Sequence, residues 1–193
     1  MHRFMLRLAQ AMAVAGGLVL SLLILLTCAS ILGREINALL NSDAIQGVMP
    51  GVADAILATG IGPINGDFEL VEAGIAFSIF AFIPLTQVTA GHATVDIFTS
   101  AFPAGLNRWL RAVIEAAFAA VLLLIARQLF EGMMSKHQYG ETSFLIQFPV
   151  WWAFAASFFG AAIAALCGVY MAAVRIAEAL QGRTILAGGG AEH

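Results

Sequence analysis

Charge, cysteine and histidine are all scarce in this chain of 193 residues, and each scarcity removes a class of function. Only 11% of the residues are charged while 61% are hydrophobic, and the mean hydropathy is +0.90. Soluble domains carry roughly a quarter charged residues and half apolar ones, so an ordinary globular domain is excluded. The nine Lys and Arg residues are scattered singly and the net charge is -3. No basic stripe is available to neutralise a phosphate backbone, which excludes nucleic acid as a partner. The two cysteines, Cys28 and Cys167, both lie inside long apolar runs, so neither a disulfide framework nor a CxxC metal site can be built from them. The four histidines, His2, His92, His137 and His193, avoid the middles of those runs. Bis-His haem ligation between facing helices is therefore disfavoured. No Ser, His and Asp spacing or HExxH helix is found either, so no enzyme activity and no bound cofactor or metal is expected.

What the chain does have is apolar length. Ala11 to Leu32 is a run of 22 uncharged residues, which as a helix rising about 1.5 Å per residue crosses the roughly 30 Å hydrocarbon core of a bilayer. It exceeds a signal-peptide core and is followed by no A-x-A site, so it is expected to remain as a membrane helix. Ala73 to Gly91 is a second run, in which Pro84 removes one backbone donor. The third, Ala112 to Phe130, is interrupted by Glu115 and Arg127 near its ends, where snorkelling is expected to relieve their cost. The fourth, Pro149 to Val174, opens with Trp151 and Trp152, as an aromatic belt would.

The expected fold is an all-α integral membrane protein of four transmembrane helices, about 11–32, 73–91, 112–130 and 149–174. These form one domain over residues 1–183, with an external loop at 33–72 and a disordered tail at 184–193 whose Gly188-Gly189-Gly190 is of low complexity. The segment from Ala93 to Leu110 carries few charges among its apolar residues and is expected to hold an amphipathic helix lying in the membrane interface. Arg3, Arg7, Arg108, Arg111, Arg175 and Arg183 fall on one side of this arrangement; Arg34 and Lys136 fall on the other, with Arg127 just inside the third span. The positive-inside rule then places both termini in the cytoplasm.

Few side chains are left to carry chemistry. Glu69 and Glu72 follow Asp67 at the start of the second span, where acids favour the positive end of the helix dipole and Asp67 can cap. Gly91, His92 and Asp96 close that span, with His92 and Asp96 one helical turn apart. Arg127 and Glu131 form an i,i+4 pair expected to be a local ion pair. Gly160 stands among many alanines in the fourth span, a small-residue face suited to close helix packing. Association, within the chain or with another subunit, is the chemistry that remains. An autonomous proton-coupled exporter is the alternative: it would act as a homodimer around a membrane carboxylate, Glu72 or Glu115.

The order of features carries a resemblance. A basic N-terminus and first span lead to Gly66-Asp67-Phe68-Glu69-Leu70-Val71-Glu72, then Gly91-His92-Ala93-Thr94-Val95-Asp96, then Phe102-Pro103 with Asn107-Arg108. Gly140-Glu141-Thr142-Ser143 follows, ahead of Pro149-Val150-Trp151-Trp152. Over about residues 1 to 180 this resembles the DctQ-like small membrane subunit of tripartite ATP-independent periplasmic (TRAP) transporters. The resemblance implies a bacterial inner-membrane protein beside a much larger multi-spanning subunit that moves the solute. It also implies a periplasmic binding protein that delivers a carboxylate-bearing compound, and a sodium gradient whose coupling ion sits on the large subunit. It marks Glu69, Glu72, His92 and Asp96 as candidates for a subunit interface, to which Gly91, Arg127, Glu131, Trp151, Trp152 and Gly160 are added as further interface candidates from their positions in the spans. Many relatives carry basic residues just before the His, where this chain has Gln87, Thr89 and Ala90.

Overall fold

The computed structural model describes residues 1–89 and 103–183. Among them six helices follow in order: α1 His2–Leu40, α2 Asp43–Val48, α3 Pro50–Leu57, α4 Asp67–Val88, α5 Ala104–Tyr139 and α6 Trp151–Gln181. Four of these, α1, α4, α5 and α6, are long and apolar enough to cross a membrane. Each overlaps one of the apolar runs, but the helices do not start and stop where the runs do. At about 1.5 Å per residue α4 is roughly 33 Å long, close to one hydrocarbon core, whereas α1 and α5 reach roughly 58 and 54 Å.

The apolar run measures the part of a helix that sits in lipid, while caps and turns decide where it ends. α5 ends at Gly140, whose φ of 63° is in the left-handed region that glycine adopts freely. There the N–H groups of Gly140 and Glu141 reach back to the carbonyls of His137 and Lys136. The 33–72 stretch expected as a loop contains the last turns of α1, the short α2 and α3, and the first turns of α4. Of the interfacial segment expected at 93–110, residues from Ala104 onward are the opening turns of α5. Its remainder, like the tail at 184–193, lies outside the described residues. α4 runs without interruption through Pro84, which is fully buried.

The four long helices pack pairwise: α1 lies on α4, α4 on α6, and α6 on α5, while α1 barely meets α6. Small residues make these approaches close. Gly16 of α1 lies against Ala81 of α4, and the Ser78 hydroxyl of α4 donates to the Gly16 carbonyl at 3.2 Å and to that of Gly74 at 2.9 Å. Gly160 of α6 lies against Phe80 of α4, and Gly168 of α6 against Leu122 and Ala119 of α5. One apolar cluster joins Leu122 and Ala126 to Ala161, Ala164 and Ala165; a second joins Ala9, Val88 and Cys167. α6 is the most buried of the four.

One end of the bundle holds the start of α1 and the Gly182 cap of α6; we call it the termini end. The opposite end, with α2, α3, the start of α4 and the α5–α6 connection, is the loop end.

Candidate subunit-interaction surface

Polar side chains gather at the two ends of the bundle. At the loop end the α4 N-cap is Gly66, with φ 76°, so Asp67 is the first helical residue rather than the cap. One of its carboxylate oxygens accepts the Ser30 hydroxyl of α1 at 2.5 Å, and the other accepts the Phe68 N–H at 2.7 Å. Arg34 of α1 stands 3.9 Å from the same group. The Ile64 N–H in turn donates to Ser30 Oγ at 3.2 Å, and Asn37 donates to the Ile61 carbonyl at 2.9 Å. Ser30, Gly33 and Asn37 share one face of α1, and that face holds the 58–66 connection.

Glu69 points across to the α5–α6 connection and accepts the backbone N–H groups of Leu145 at 2.6 Å and Ile146 at 3.1 Å. Both carboxylate oxygens thus hold a turn 76 residues away in the chain. That turn is closed by Ser143 N–H to the Phe148 carbonyl at 2.9 Å and Val150 N–H to the Glu141 carbonyl at 3.0 Å. Lys136 pairs with Glu141 at 2.6 Å. Trp151 packs edge-on against His137, with ring centres 5.1 Å apart, and against Trp152 at 6.1 Å. Trp152 is itself exposed.

Between α4, α5, α6 and this turn lies a cavity of about 420 Å³. Its walls include Phe80, Phe144, Phe148, Phe154 and Leu129, and its polar lining comes from Glu69, Glu72, Ser143 and Ser157.

At the termini end the sequence expectation for Glu115 is overturned. Rather than snorkelling, it is 8% exposed and accepts a 2.5 Å hydrogen bond from Nε2 of the fully buried Gln87. A carboxylate on the helix face turned toward its neighbours has no route to water, so a buried donor on α4 meets it instead. Arg175 and Glu178, one helical turn apart on α6, form a 2.7 Å ion pair whose side chains are only 7% and 4% exposed. Neither Gln87 nor this pair is singled out by the apolar pattern. The signals present in the sequence are a lone amide inside a span and an Arg-x-x-Glu just past one.

The remaining candidates are placed as follows. Arg127 and Glu131 pair at 2.8 Å on the open face of α5, with 74% and 51% of their side chains exposed; this is the local pair expected from their spacing. Gly160 faces Phe80 of the same chain. Gly91, His92 and Asp96 lie outside the described residues, so no geometry is given for them. A stripe of α1, formed by Val14, Leu18, Leu22, Leu25 and Leu32, is exposed, as are Val113, Val121 and Leu124 of α5. Among the described residues no three of His, Cys, Asp and Glu come close enough to hold a metal ion. Packed helices with apolar outer faces and polar ends can bind lipid and other helices.

Residues 23–181 match the family model described as "Tripartite ATP-independent periplasmic transporters, DctQ component", a span that takes in α2 to α6 and the later part of α1, from residue 23 to Leu40. No curated protein and no solved structure matches the chain significantly.

Proposed function

The chain belongs to the DctQ component family of tripartite ATP-independent periplasmic transporters, and from that premise we propose that it is the fixed membrane scaffold of a sodium-driven, binding-protein-dependent uptake system. The family match across all four long helices carries this reading. In it the chain moves no solute itself. It gives the large multi-spanning subunit a membrane-embedded surface to work against, while a periplasmic protein delivers a carboxylate-bearing compound and the coupling sodium sits on the large subunit.

Two features support the assignment. At the termini end the Gln87–Glu115 bond ties α4 to α5, and the Arg175–Glu178 pair is buried along α6. A bundle joined by buried polar contacts suits a scaffold. Arg3, Arg7, Arg108, Arg111, Arg175 and Arg183 also belong to the termini end, against Arg34 and Lys136 at the loop end. The positive-inside rule accordingly puts the termini in the cytoplasm of a bacterial inner membrane and the loop end in the periplasm.

The test is reconstitution. The large subunit is placed in liposomes with and without this chain, the binding protein and its solute are supplied outside, and a sodium gradient is imposed. Uptake is expected only when both membrane chains are present. Full-rate uptake by the large subunit alone would overturn the scaffold reading.

A further inference from the structure

Contacts between the long helices fix the depth of each residue in the bundle. Gly16 of α1 meets Ala81 of α4, and the backbone at Phe80 and Ala81 meets Gly160 of α6. Between α5 and α6, Ala119 meets Gly168, and Phe130 meets Phe158 with ring centres 5.4 Å apart. Ala126 and Ala161, between those two contacts, share one apolar cluster. Arg127 therefore stands level with Ala161, Ala81 and Gly16. From that level Arg7 is nine residues away along α1 toward the termini end, and Lys136 and Trp152 are nine residues away along α5 and α6 toward the loop end. Nine residues of helix rise roughly 13 Å, so Arg127 sits at the middle of a slab about as thick as a hydrocarbon core, with Glu131 one turn nearer the loop end.

The apolar run that closes at Phe130 sets Arg127 near an edge, whereas the helices it packs with set it at mid-depth. Its stem is about half as long as the distance to either surface, so snorkelling cannot bring its charge to water. Yet the Arg127 and Glu131 side chains are 74% and 51% exposed, and Gln128 beside them is exposed as well. α5 is the edge of the row, packed on α6 by its opposite face, and among the described residues nothing covers this one. Charges at such a depth face a bundle interior, a water-filled cavity or another chain. Ala120, Val121 and Leu124 on one side of the pair and Phe130 and Met134 on the other are apolar, so no polar trail leads water to it along α5. Another chain in the membrane is what remains.

The open hydrogen-bonding groups define that chain. Arg127 donates its Nε–H to Glu131 Oε1 at 2.8 Å, while its two terminal nitrogens and the Gln128 amide have no partner among the described residues. A guanidinium carries five N–H donors, so donors outnumber acceptors on this face. A second copy of this chain would repeat that surplus rather than meet it. A helix bearing oxygen acceptors meets it. Ala117, Ala120, Leu124, Arg127 and Glu131 follow at alternating three- and four-residue spacing, one stripe whose small residues let a neighbouring backbone come close.

We infer that this stripe of α5 is where a transmembrane helix of the large subunit docks, presenting a carboxylate or amide oxygen at mid-membrane to the Arg127 guanidinium. The inference rests on the scaffold reading above and adds to it the place and chemistry of contact.

The experiment uses the native gene cluster with an affinity tag on this chain, solubilised in mild detergent, and reads the ratio of large subunit to tagged chain. If the wild type brings no large subunit, the scaffold reading itself fails. If it does, Arg127→Leu combined with Glu131→Leu, which makes the stripe wholly apolar, is expected to cut the ratio ~ten-fold while the amount of tagged chain in the membrane holds. Ala120→Phe, which blocks close approach without touching the pair, is expected to cut it several-fold. A photocrosslinking residue in place of Leu124, which leaves the pair intact, is expected to capture a large-subunit peptide containing Asp, Glu, Asn or Gln. An unchanged ratio for the double variant, or adducts at 124 to lipid or to a second copy of this chain alone, would overturn the inference.

Discussion

Replacing Gly33 by alanine tests how the 58–66 connection is held on α1. A methyl group built on Gly33 would stand 2.2 Å from the Gly62 carbonyl oxygen. An ordinary carbon–oxygen contact is about 3.3 Å, so the backbone at Gly62 must retreat by roughly 1 Å. Two hydrogen bonds flank that point, Asn37 to the Ile61 carbonyl at 2.9 Å and Ile64 N–H to Ser30 Oγ at 3.2 Å. A shift of that size takes both beyond hydrogen-bonding range. At about 1 kcal/mol net for each bond, the docked connection loses about 2 kcal/mol, a roughly thirty-fold rise in the population of its open form. Gly17 on the same helix is the control, because nothing lies within 4 Å of a methyl group built there. Gly17→Ala removes a flexible residue from a helix interior and is expected to be neutral or stabilising by up to about 1 kcal/mol. The assay is amide hydrogen exchange in nanodiscs, read at Ile64. Exchange is expected to quicken roughly thirty-fold in Gly33→Ala and stay unchanged in Gly17→Ala. Equal exchange in the two variants would refute the reasoning, since the helix propensity gained is the same and only the contact differs.

Two further outcomes are expected. Glu69→Gln keeps the shape but lacks the charge that two N–H groups share, so limited proteolysis should cut the 141–150 turn faster while leaving the 58–66 connection untouched; equal cutting would remove Glu69 from its anchoring role. Arg175→Met removes one charged partner from the 4% exposed Glu178 carboxylate and is expected to cost about 1.5–3 kcal/mol, seen as early loss of the monodisperse peak on heating in detergent. Arg175→Met with Glu178→Leu should recover at least half of that loss, and a double variant as unstable as the single one would contradict the pairing.

The four spans were legible in the sequence because uncharged runs of this length have one reading in a membrane. Their ends were not. α1 continues past Leu32 to Leu40 and α5 begins at Ala104, and these extensions depend on turns and caps that hydropathy does not register. α2 and α3, of six and eight residues, are too short to establish a helical period. The ion pair of Arg127 and Glu131 could be read from its spacing, since i and i+4 are neighbours on any helix. Glu69 could be read as an acid at a helix start, but its partners are backbone N–H groups of Leu145 and Ile146, and a backbone donor leaves no mark on composition. Glu115 was placed by its distance from the end of an apolar run. Which way a side chain faces at that depth depends on the neighbouring helix, and here α4 offers Gln87.

The packing order of the helices bears on how the chain is made. α6 lies between α4 and α5, yet it leaves the ribosome after both. Until it enters the membrane, α1 and α4 can pair through Gly16 and Ser78, but α5 has no apolar face to join and meets α4 at the Gln87–Glu115 bond. The four long helices therefore come together only once α6 has been made, and a chain cut short before Trp151 is left as one helix pair and a stray third helix, a shape that quality-control proteases of the membrane can recognise.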